Sequence, residues 1–599
     1  MSGTRPEPAE AIREARRGLE GHRCARVLGE FVWHETEQRW AFPVELSVET
    51  KNRDLIPERT VWYFVLDPRY PWGEIEIYPA SDGGIKPTFP HQDRNDADDT
   101  KVPWRSGDIC VRAPAFALDR LGSDPDPKGS PGRLLWYVGR ALEWLARAAE
   151  GTLAQPGDDF ELPQWKALPS TVGFVEDAET FKLWSSTSAR VGTAEIVRIA
   201  SRGPWVARRF FSLQGEKLVE PSWGRLIEGS KAVTSAGWLR LPGVPVLPPY
   251  GAPAVWGDLG AAVDALGLGL DDLLQQVLKP LRDGEPHMLL VGFPVPRRVG
   301  EEPSQMHWQP LQLPLLSSRK KLKNGFRAND TGFWSGDKAT VLAPKQKIDW
   351  MTGRNWSQAE ISTRGQFSSA LRSKRVLYLG AGAVGSTVSE LLVRGGVTTG
   401  VLVDDDSVAA GNLVRHTLSL SDVGNSKGEA LALRLNGLNP HARIEALLAH
   451  FPNLSKSDSD KCISCDLVLD CSGSDDVLQA LADQEYADGT LFVTLAMGRG
   501  AGRFYMFHAW GTRFPIERFR EEISPWLVRD QEQFAEVEFP WEGVGCWHPV
   551  FPATPDQVWA YAAAAVRHLN SVAGLKSEPA LTVIELSSHN LPQHVSTNG

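Results

Sequence analysis

The sequence has 599 residues, of which 42% are hydrophobic and 23% charged, and its formal net charge is −10. At about 100–200 residues per domain, this length predicts roughly three to four domains with ordinary globular cores. The acidic balance argues against binding nucleic acid by general electrostatics, and the basic stretch 319–327 is interpreted as a solvated loop. No apolar run approaches the ~20 residues that cross a membrane, and the charged N-terminus does not resemble a secretory signal. We therefore expect a cytoplasmic protein with no membrane partner and no direct nucleic-acid partner.

Residues 1–165 have the pattern of an α+β domain. We predict an amphipathic helix at 9–22, antiparallel strands within 31–80, and a second helix at 132–151, where apolar residues recur at helical spacing. A segment rich in Pro, Gly and Asp lies between the strands and the second helix. It contains the stretch SGDICV, which places Cys110 in a polar loop and raises the question of what this thiol does.

The middle region, residues 166–345, is predicted to be an α/β linker domain. Strands are expected near 193–200 and 288–296, and one helix is expected over 258–281, with Pro-rich joints between them. The region contains no recognisable catalytic motif, so the sequence assigns no chemistry to it.

From residue 346 to 599, strands alternate with helices, which is typical of a mostly parallel sheet. The strand RVLYLG leads into a G-x-G-x-x-G pattern formed by Gly380, Gly382 and Gly385. Glycines there permit a tight turn and let phosphates approach the backbone N–H groups of the helix N-terminus. The next strand ends at Asp404, where a carboxylate can hydrogen-bond a ribose. Alone, this pattern fits a nicotinamide dehydrogenase equally well.

The residues that follow distinguish these alternatives. Asn412, Arg415 and Lys427 form a polar cluster for which a dehydrogenase has no use. An enzyme that cleaves ATP between its α- and β-phosphates needs cations to stabilise the transferring phosphoryl group. The motifs GAGAVGS, VDDDSV, GNLVRH, SKGEAL, LNP and DLVLDC resemble, in order and spacing, those of the ubiquitin-activating (ThiF-type) family. This resemblance implies a Rossmann-like adenylation domain that uses ATP with Mg²⁺.

The same resemblance implies roles for individual residues. The carboxylate of Asp404 would hold the ribose, and the three residues of the polar cluster would contact the phosphates. A second arginine, supplied by the partner subunit of a homodimer, would be Arg354, with Arg364 as the alternative.

The magnesium ligand of the family has no direct counterpart in this chain. Gly473 stands where the family carries the metal-binding acid. Asp475 is expected to replace that acid, and Asp470 is the alternative.

The six cysteines are expected to be thiols. Cys462 and Cys465 form a single CxxC, whereas tetrahedral zinc commonly uses two such pairs, so no zinc site is predicted. Cys471 and Cys24 are expected to be buried core thiols.

Cys546 lies in a Gly-rich turn before a helix, two residues from His548. A neighbouring imidazole or helix N-terminus can give a thiol the thiolate character of a nucleophile. The stretch GCWHPVFPATP resembles the segment that carries the thioester-forming cysteine of activating enzymes. The alternative is an incidental loop cysteine.

The region around Cys110 resembles a ubiquitin-conjugating domain, in which the catalytic cysteine stands in a G-x-I-C loop. Gly107, Ile109 and Cys110 match that loop. The His-Pro-Asn triplet expected upstream is absent, and His91 and Asn95 stand near its place as imperfect substitutes. The alternative for Cys110 is a surface thiol without a role.

This order of domains resembles the fused enzymes of bacterial CBASS antiphage operons. The resemblance implies that the C-terminus of a ubiquitin-like or cGAS-like protein is adenylated, passed as a thioester from Cys546 to Cys110, and attached to lysines of target proteins. Three alternatives remain: an adenylyltransferase for sulfur-carrier or small-molecule chemistry without a relay, a dehydrogenase, and a non-catalytic scaffold.

Overall fold

The computed structural model describes residues 7–50, 55–97, 102–111, 126–542, 548–549, 552–586 and 592–595. The chain forms two compact units. The first contains residues 1–196, 209–220 and 232–355, and the second contains 197–208, 221–231 and 356–599. Within the described part of the chain, no helix combines the length and the apolar character needed to cross a membrane.

The N-terminal part is an antiparallel sheet that one helix precedes and another follows along the chain. Its elements are α1 (Glu10–Arg17), β1 (Ala25–Val27), β2 (Val32–His34), β3 (Arg39–Ser47), β4 (Arg59–Leu66), β5 (Ile75–Pro79) and α2 (Arg133–Glu150). The strand order is β1-β3-β4-β5, and β2 pairs with β3. Ile12 of α1 and Leu145 of α2 are both buried in the core that also takes one face of β4. The predicted order of helix, antiparallel strands and helix is confirmed.

The middle part is built on a mixed eight-stranded sheet. Its elements are β6 (Ala167–Phe174), α3 (Ala178–Ser186), β7 (Val191–Arg198), β8 (Trp205–Ser212), β9 (Lys217–Val219), α4 (Arg225–Gly229), β10 (Ala232–Arg240), α5 (Trp256–Ala265), α6 (Leu270–Leu278), β11 (Met288–Val295), β12 (Gln305–Gln312), α7 (Asp330–Ala339) and β13 (Asp349–Asn355). The strand order is β6-β13-β12-β11-β10-β7-β8-β9. The single helix predicted over 258–281 is wrong, because the chain breaks it into α5 and α6. Gly267 lies between them with φ of +76°, a left-handed conformation that ends an α-helix.

The C-terminal part contains the predicted mostly parallel sheet. Its elements are α8 (Gln358–Ile361), α9 (Ser369–Arg372), β14 (Arg375–Leu379), α10 (Ala383–Arg394), β15 (Thr399–Val403), α11 (Lys427–Leu438), β16 (Arg443–Leu447), α12 (Lys456–Ile463), β17 (Leu467–Asp470), α13 (Asp475–Asp483), β18 (Thr490–Met497), β19 (Arg503–Gly511), α14 (Ile516–Gln533), β20 (Trp541–Glu542), β21 (His548–Pro549), α15 (Pro555–Val572), β22 (Ala580–Leu586) and β23 (Pro592–Val595).

The strand order of this sheet is β16-β15-β14-β17-β18-β19-β22-β23. The first five strands are parallel, and β19 begins an antiparallel extension. Apolar residues of α10, α11 and α15 fill the core on one face, and those of α13 and α14 fill the other. The chain winds outward from β14 in both directions, and ligands of such sheets bind at the carboxyl ends of the strands where the order reverses. The predicted Rossmann-like arrangement is confirmed.

Candidate functional site

The glycine loop joins β14 to α10 at this point of reversal. Gly380 has φ of +87°, and a Cβ there would lie 3.0 Å from the backbone of Ser472. A Cβ at Gly385 would lie 2.0 Å from the carbonyl oxygen of Gly380, so the helix and the loop are in backbone contact. A Cβ at Gly382 would meet no atom within 4 Å. Gly380 and Gly385 are therefore required by the protein's own packing. Gly382 instead leaves open space before the helix N-terminus, where a phosphate can approach.

Asp404 and His416 each form a hydrogen bond with a backbone group of Ala381. The Asp404 carboxylate accepts from the Ala381 N–H at 2.6 Å, and burial raises its pKa above the usual value. Nδ1 of His416 accepts from the Leu418 N–H at 3.1 Å, so the ring proton lies on Nε2, which donates to the Ala381 carbonyl at 2.6 Å. Sequence reasoning gave His416 no role. Its position directly after Arg415 was the only available signal, and that signal does not reveal a contact with the glycine loop.

The phosphate-binding residues predicted from the sequence lie on the segment from β15 to α11. Lys427 is the first residue of α11, and its Nζ lies 2.9 Å from a carboxylate oxygen of Asp406. The side-chain oxygen of Asn412 accepts from the Ala409 N–H at 3.0 Å and holds a single helical turn, after which Arg415 follows half-buried. An exposed carboxylate thus pairs with the lysine at the start of α11.

Two carboxylates were candidates for the magnesium ligand, and their surroundings differ. Asp470 is 1% exposed, and its oxygens accept hydrogen bonds from Ser472 and Thr494. Asp475 is exposed in the first turn of α13. Magnesium is usually held by one or two carboxylates together with phosphates and water. Asp475 fits that mode, since it could bind an ion without losing these internal hydrogen bonds.

A metal site made by the protein alone is not found within the described ranges, where no three His, Cys, Asp or Glu side chains are grouped to hold an ion. Cys462 and Cys465 are buried, and burial raises their pKa to about 12 and about 11. Cys471 is partly buried and packs on the core of the parallel sheet. The prediction that Cys24 is a core thiol is wrong: it is exposed, because it follows a turn and precedes the short edge strand β1.

The two arginines considered for the partner-subunit role lie in different places. Arg354 is an exposed residue of β13, in the first unit. Arg364 is exposed in the second unit, shortly after α8. Cys546, the predicted first thiol of the relay, lies outside the described residues.

Cys110 is exposed at the end of a tightly packed loop in the first unit. Its N–H donates to the His91 carbonyl at 2.9 Å, and the Ile109 N–H donates to the Ile77 carbonyl on β5 at 3.2 Å. Gly107 is required by close packing, because a Cβ there would lie 2.7 Å from Cβ of Asn95. The loop therefore presents the thiol from a fixed backbone.

A cavity of about 360 Å³ opens beside this thiol. Its wall includes Cys110, His91 and Tyr137, together with Glu161 and Gln164 from the segment that follows α2. Nδ1 of His91 lies 3.0 Å from a carboxylate oxygen of Glu161. The cavity thus combines an exposed thiol with an imidazole held by a carboxylate.

Asn95, the other candidate substitute for the missing triplet, is buried and fully engaged. Its side-chain amide donates to the carbonyls of Ile85 and Pro87, and its side-chain oxygen accepts from Arg105 at 2.8 Å. Asn95 therefore braces the loop, and of the two candidates only His91 lies on the cavity wall.

Comparison with known families matches two parts of the chain. The model of the Cap2 central linker domain matches residues 151–356, and that of the ThiF family matches residues 353–557. Among solved structures, the crystal structure of E. coli MccB with AMPCPP and MccA is 17% identical, covers 38% of this chain and 65% of that one, and has a TM-score of 0.27.

Two curated proteins are similar to different extents. The adenylyltransferase and sulfurtransferase UBA4 of Yarrowia lipolytica is 31% identical over 176 residues, which is 29% of this chain and 43% of that protein. The ATP-dependent ubiquitin transferase-like protein Cap2 of Enterobacter hormaechei subsp. hoffmannii is 33% identical over 546 residues, which is 89% of each protein. On the strength of that nearly full-length match, the chain belongs to the Cap2 family of ATP-dependent ubiquitin transferase-like proteins.

Proposed function

We propose that this chain activates the C-terminal carboxylate of a partner protein with ATP, carries the acyl group on Cys546 and then on Cys110, and transfers it to lysine amines. The observation that carries the proposal is the exposed Cys110 in its cavity. A simple adenylyltransferase needs no second thiol, whereas a transferase needs a thioester that an amine can reach. The Cap2 relative, described as ubiquitin transferase-like, supports the same class of reaction.

In the first step, a carboxylate oxygen of the partner attacks the α-phosphorus of ATP, and pyrophosphate leaves. The open space at Gly382 admits the phosphates, and Asp404 holds the ribose. Arg415 and Lys427 stabilise the charge on the transferring phosphoryl group, with Lys427 leaving Asp406 for the phosphates. A magnesium ion bound at Asp475 would neutralise the charge of the leaving pyrophosphate.

In the next steps, the thiolate of Cys546 attacks the acyl-adenylate and releases AMP, and the thiolate of Cys110 then takes the acyl group and releases Cys546. A lysine amine finally attacks the Cys110 thioester, forms an amide bond and releases the thiolate. Each step replaces attack on an unreactive carboxylate with attack on an activated carbonyl.

The proposed donor of the carboxylate is a ubiquitin-like or cGAS-like protein encoded in the same CBASS operon, and the reaction is proposed to take place in the cytoplasm. The enzyme is proposed to be a homodimer in which Arg354 of one subunit serves the ATP site of the other. A second candidate function is adenylyl transfer to a sulfur carrier without a relay. The 31% identity to UBA4, over 29% of this chain, favours this function. The two functions differ in whether Cys110 is needed.

The adenylation step is tested by ATP–pyrophosphate exchange that depends on the partner protein. Lys427→Ala should abolish exchange, because the charge on the transferring phosphoryl group would lose one of its two cations. Lys456→Ala is the matched control, since Lys456 is also the first residue of a helix, on α12. Cys546→Ala should retain exchange, and exchange that requires Cys546 would contradict this order of steps.

The relay is tested by following adducts that a thiol reductant removes. Cys110→Ala should leave the partner on Cys546 and abolish the amide product, whereas Cys546→Ala should abolish both. Cys24→Ala is the matched control, because Cys24 is an exposed thiol of the same unit and should be dispensable. A Cys110→Ala enzyme that still forms amides would exclude the relay through Cys110. A wild type that adenylates the partner but forms neither thioester adducts nor amides would favour the sulfur-carrier function.

A further inference from the structure

His91 is held beside Cys110 in an unusual backbone conformation. Its φ is +56°, a left-handed value that costs a residue with a Cβ about 1 kcal/mol or more. The His91 carbonyl accepts from the Cys110 N–H at 2.9 Å and from Nε1 of Trp144 at 3.3 Å. The backbone N–H of His91 donates to Glu161 at 3.2 Å. Three neighbouring groups thus hold a strained residue next to the thiol, which is typical of a functional site.

Glu161 comes from the segment after α2, and this segment is fixed to the same loop. One carboxylate oxygen of Glu161 lies within hydrogen-bond reach of both the backbone N–H and Nδ1 of His91. The Glu161 carbonyl accepts from the hydroxyl of Tyr250. Three residues further on, Nε2 of Gln164 donates to Asp93 at 2.6 Å. The carboxylate therefore binds Nδ1, and Nε2 is the other ring nitrogen of this residue of the cavity wall.

The charges around the imidazole favour its protonated form. The hydrogen bond that His91 donates to Glu161 raises the pKa of His91 above the usual value, and His91 in turn lowers the pKa of Glu161. Among the other charged groups near the ring, Asp158 also raises the pKa of His91, whereas Arg147 and burial lower it. An imidazolium is a stronger hydrogen-bond donor than a neutral ring and carries the charge that complements an oxyanion.

We propose that His91, held by Glu161, is the oxyanion-stabilising catalytic residue for the acyl group on Cys110. This inference rests on the proposed function. When the lysine nitrogen attacks the thioester carbonyl, the C–N bond forms and the π electron pair moves to the oxygen. His91 Nε2–H donates a hydrogen bond to that oxygen. The oxygen then re-forms the carbonyl, the C–S bond breaks with its electron pair going to Cys110, and the ammonium proton passes to solvent water.

Asn95 cannot take this role in the described loop. Both donors of its amide and its side-chain oxygen are already used by the carbonyls of Ile85 and Pro87 and by Arg105. Turning the amide toward the cavity would leave buried groups without partners, which costs about 1–3 kcal/mol for each.

The test uses the full chain and a small acyl donor, the S-phenyl thioester of N-acetylglycine, so that neither ATP nor the partner is needed. Cys110 is acylated, excess donor is removed, and free lysine is added. The loss of the acyl group from the Cys110 peptide is followed by mass spectrometry between about pH 5.5 and 9, the range that brackets histidine titration. The rates are divided by the fraction of lysine present as free amine.

In the wild type, the corrected rate should fall as the pH rises through the pKa of His91. His91→Gln should lower the rate about 100-fold and remove this pH dependence, as expected for loss of one charged oxyanion donor. Glu161→Gln should move the fall to lower pH, because the imidazolium loses its carboxylate. Glu74→Gln is the matched control: Glu74 lies on the same cavity wall but pairs with Arg39, so its rate and profile should match the wild type.

A His91→Gln chain with the wild-type rate and pH profile would overturn the inference. So would a Glu161→Gln chain whose profile coincides with that of the wild type. A merely structural role would lower the amount of folded protein, seen by circular dichroism, without shifting the pH profile. Failure of Cys110 to accept the acyl group, while Cys24 in the same chain accepts it, would overturn the proposed function itself.

Discussion

Two glycines of the nucleotide loop provide a matched pair of substitutions that should affect stability differently. A Cβ at Gly385 would lie 2.0 Å from the Gly380 carbonyl oxygen, so α10 and the loop would have to separate by more than an ångström. Both contacting groups are backbone, and no side-chain rotation relieves the overlap. Overpacking of this kind costs about 1–3 kcal/mol, which exceeds the advantage of about 1 kcal/mol that alanine has over glycine in a helix. We expect Gly385→Ala to destabilise the second unit and to weaken ATP binding with it.

Gly382→Ala should weaken ATP binding without destabilising the fold. A Cβ there meets nothing within 4 Å, so stability should change by no more than about 0.5 kcal/mol. The added methyl group would fill the space that a phosphate needs, and ATP binding should weaken at least tenfold, or about 1.4 kcal/mol. Urea midpoints and ATP titrations measure the two effects separately. A Gly385→Ala chain as stable as the wild type would refute the packing argument, and a Gly382→Ala chain with unchanged ATP affinity would refute the approach of phosphate at this residue.

Three further predictions concern single polar side chains. Burial raises the pKa of Glu176 to about 8, so the folded state keeps a proton that the unfolded state releases near pH 4.5. The free energy of unfolding should therefore fall by about 1.4 kcal/mol per pH unit between pH 4.5 and pH 8. Urea midpoints of the wild type and of Glu176→Gln should therefore diverge as the pH rises, and parallel pH profiles would contradict this. His416→Ala should raise the KM for ATP in pyrophosphate exchange about tenfold by releasing the Ala381 carbonyl, a loss of about 1.4 kcal/mol. Asp475→Asn should raise the Mg²⁺ concentration needed for exchange without changing the free energy of unfolding. Asp470→Asn should lower the free energy of unfolding, measured in urea, by about 1–3 kcal/mol. The opposite pattern would make Asp470 the magnesium ligand.

The parts of the fold that the sequence predicted well are those governed by local patterns. The strand β14, the glycine loop and α10 follow from an apolar run, three spaced glycines and a helical period. The N-terminal strands follow from alternation, which β3 and β4 retain in their buried faces. Such patterns involve residues close in sequence, so no knowledge of tertiary contacts is needed to find them.

The errors arose where one residue decides the local structure. The helix expected over 258–281 has apolar residues at helical spacing throughout, but Gly267 adopts a left-handed conformation and turns the chain between α5 and α6. Cys24 was assigned to the core because free cysteines are usually buried. It lies beside a turn at a sheet edge, where a population average does not apply.

The choice between His91 and Asn95 shows why a site can be placed by sequence yet not resolved by it. Both residues stand in the same short stretch before Cys110, and both side chains can donate a hydrogen bond to an oxyanion. What separates them is what their neighbours already use: Arg105 and two carbonyls engage all of the Asn95 amide, while Glu161 engages only one nitrogen of the His91 ring. Glu161 lies 70 residues from His91 in sequence, so the contact that distinguishes the two candidates exists only in the folded chain. A hydrogen-bond donor is available for catalysis only when no group of the protein already accepts from it. Its availability depends on the hydrogen-bond network of the folded chain, which neither residue type nor spacing specifies.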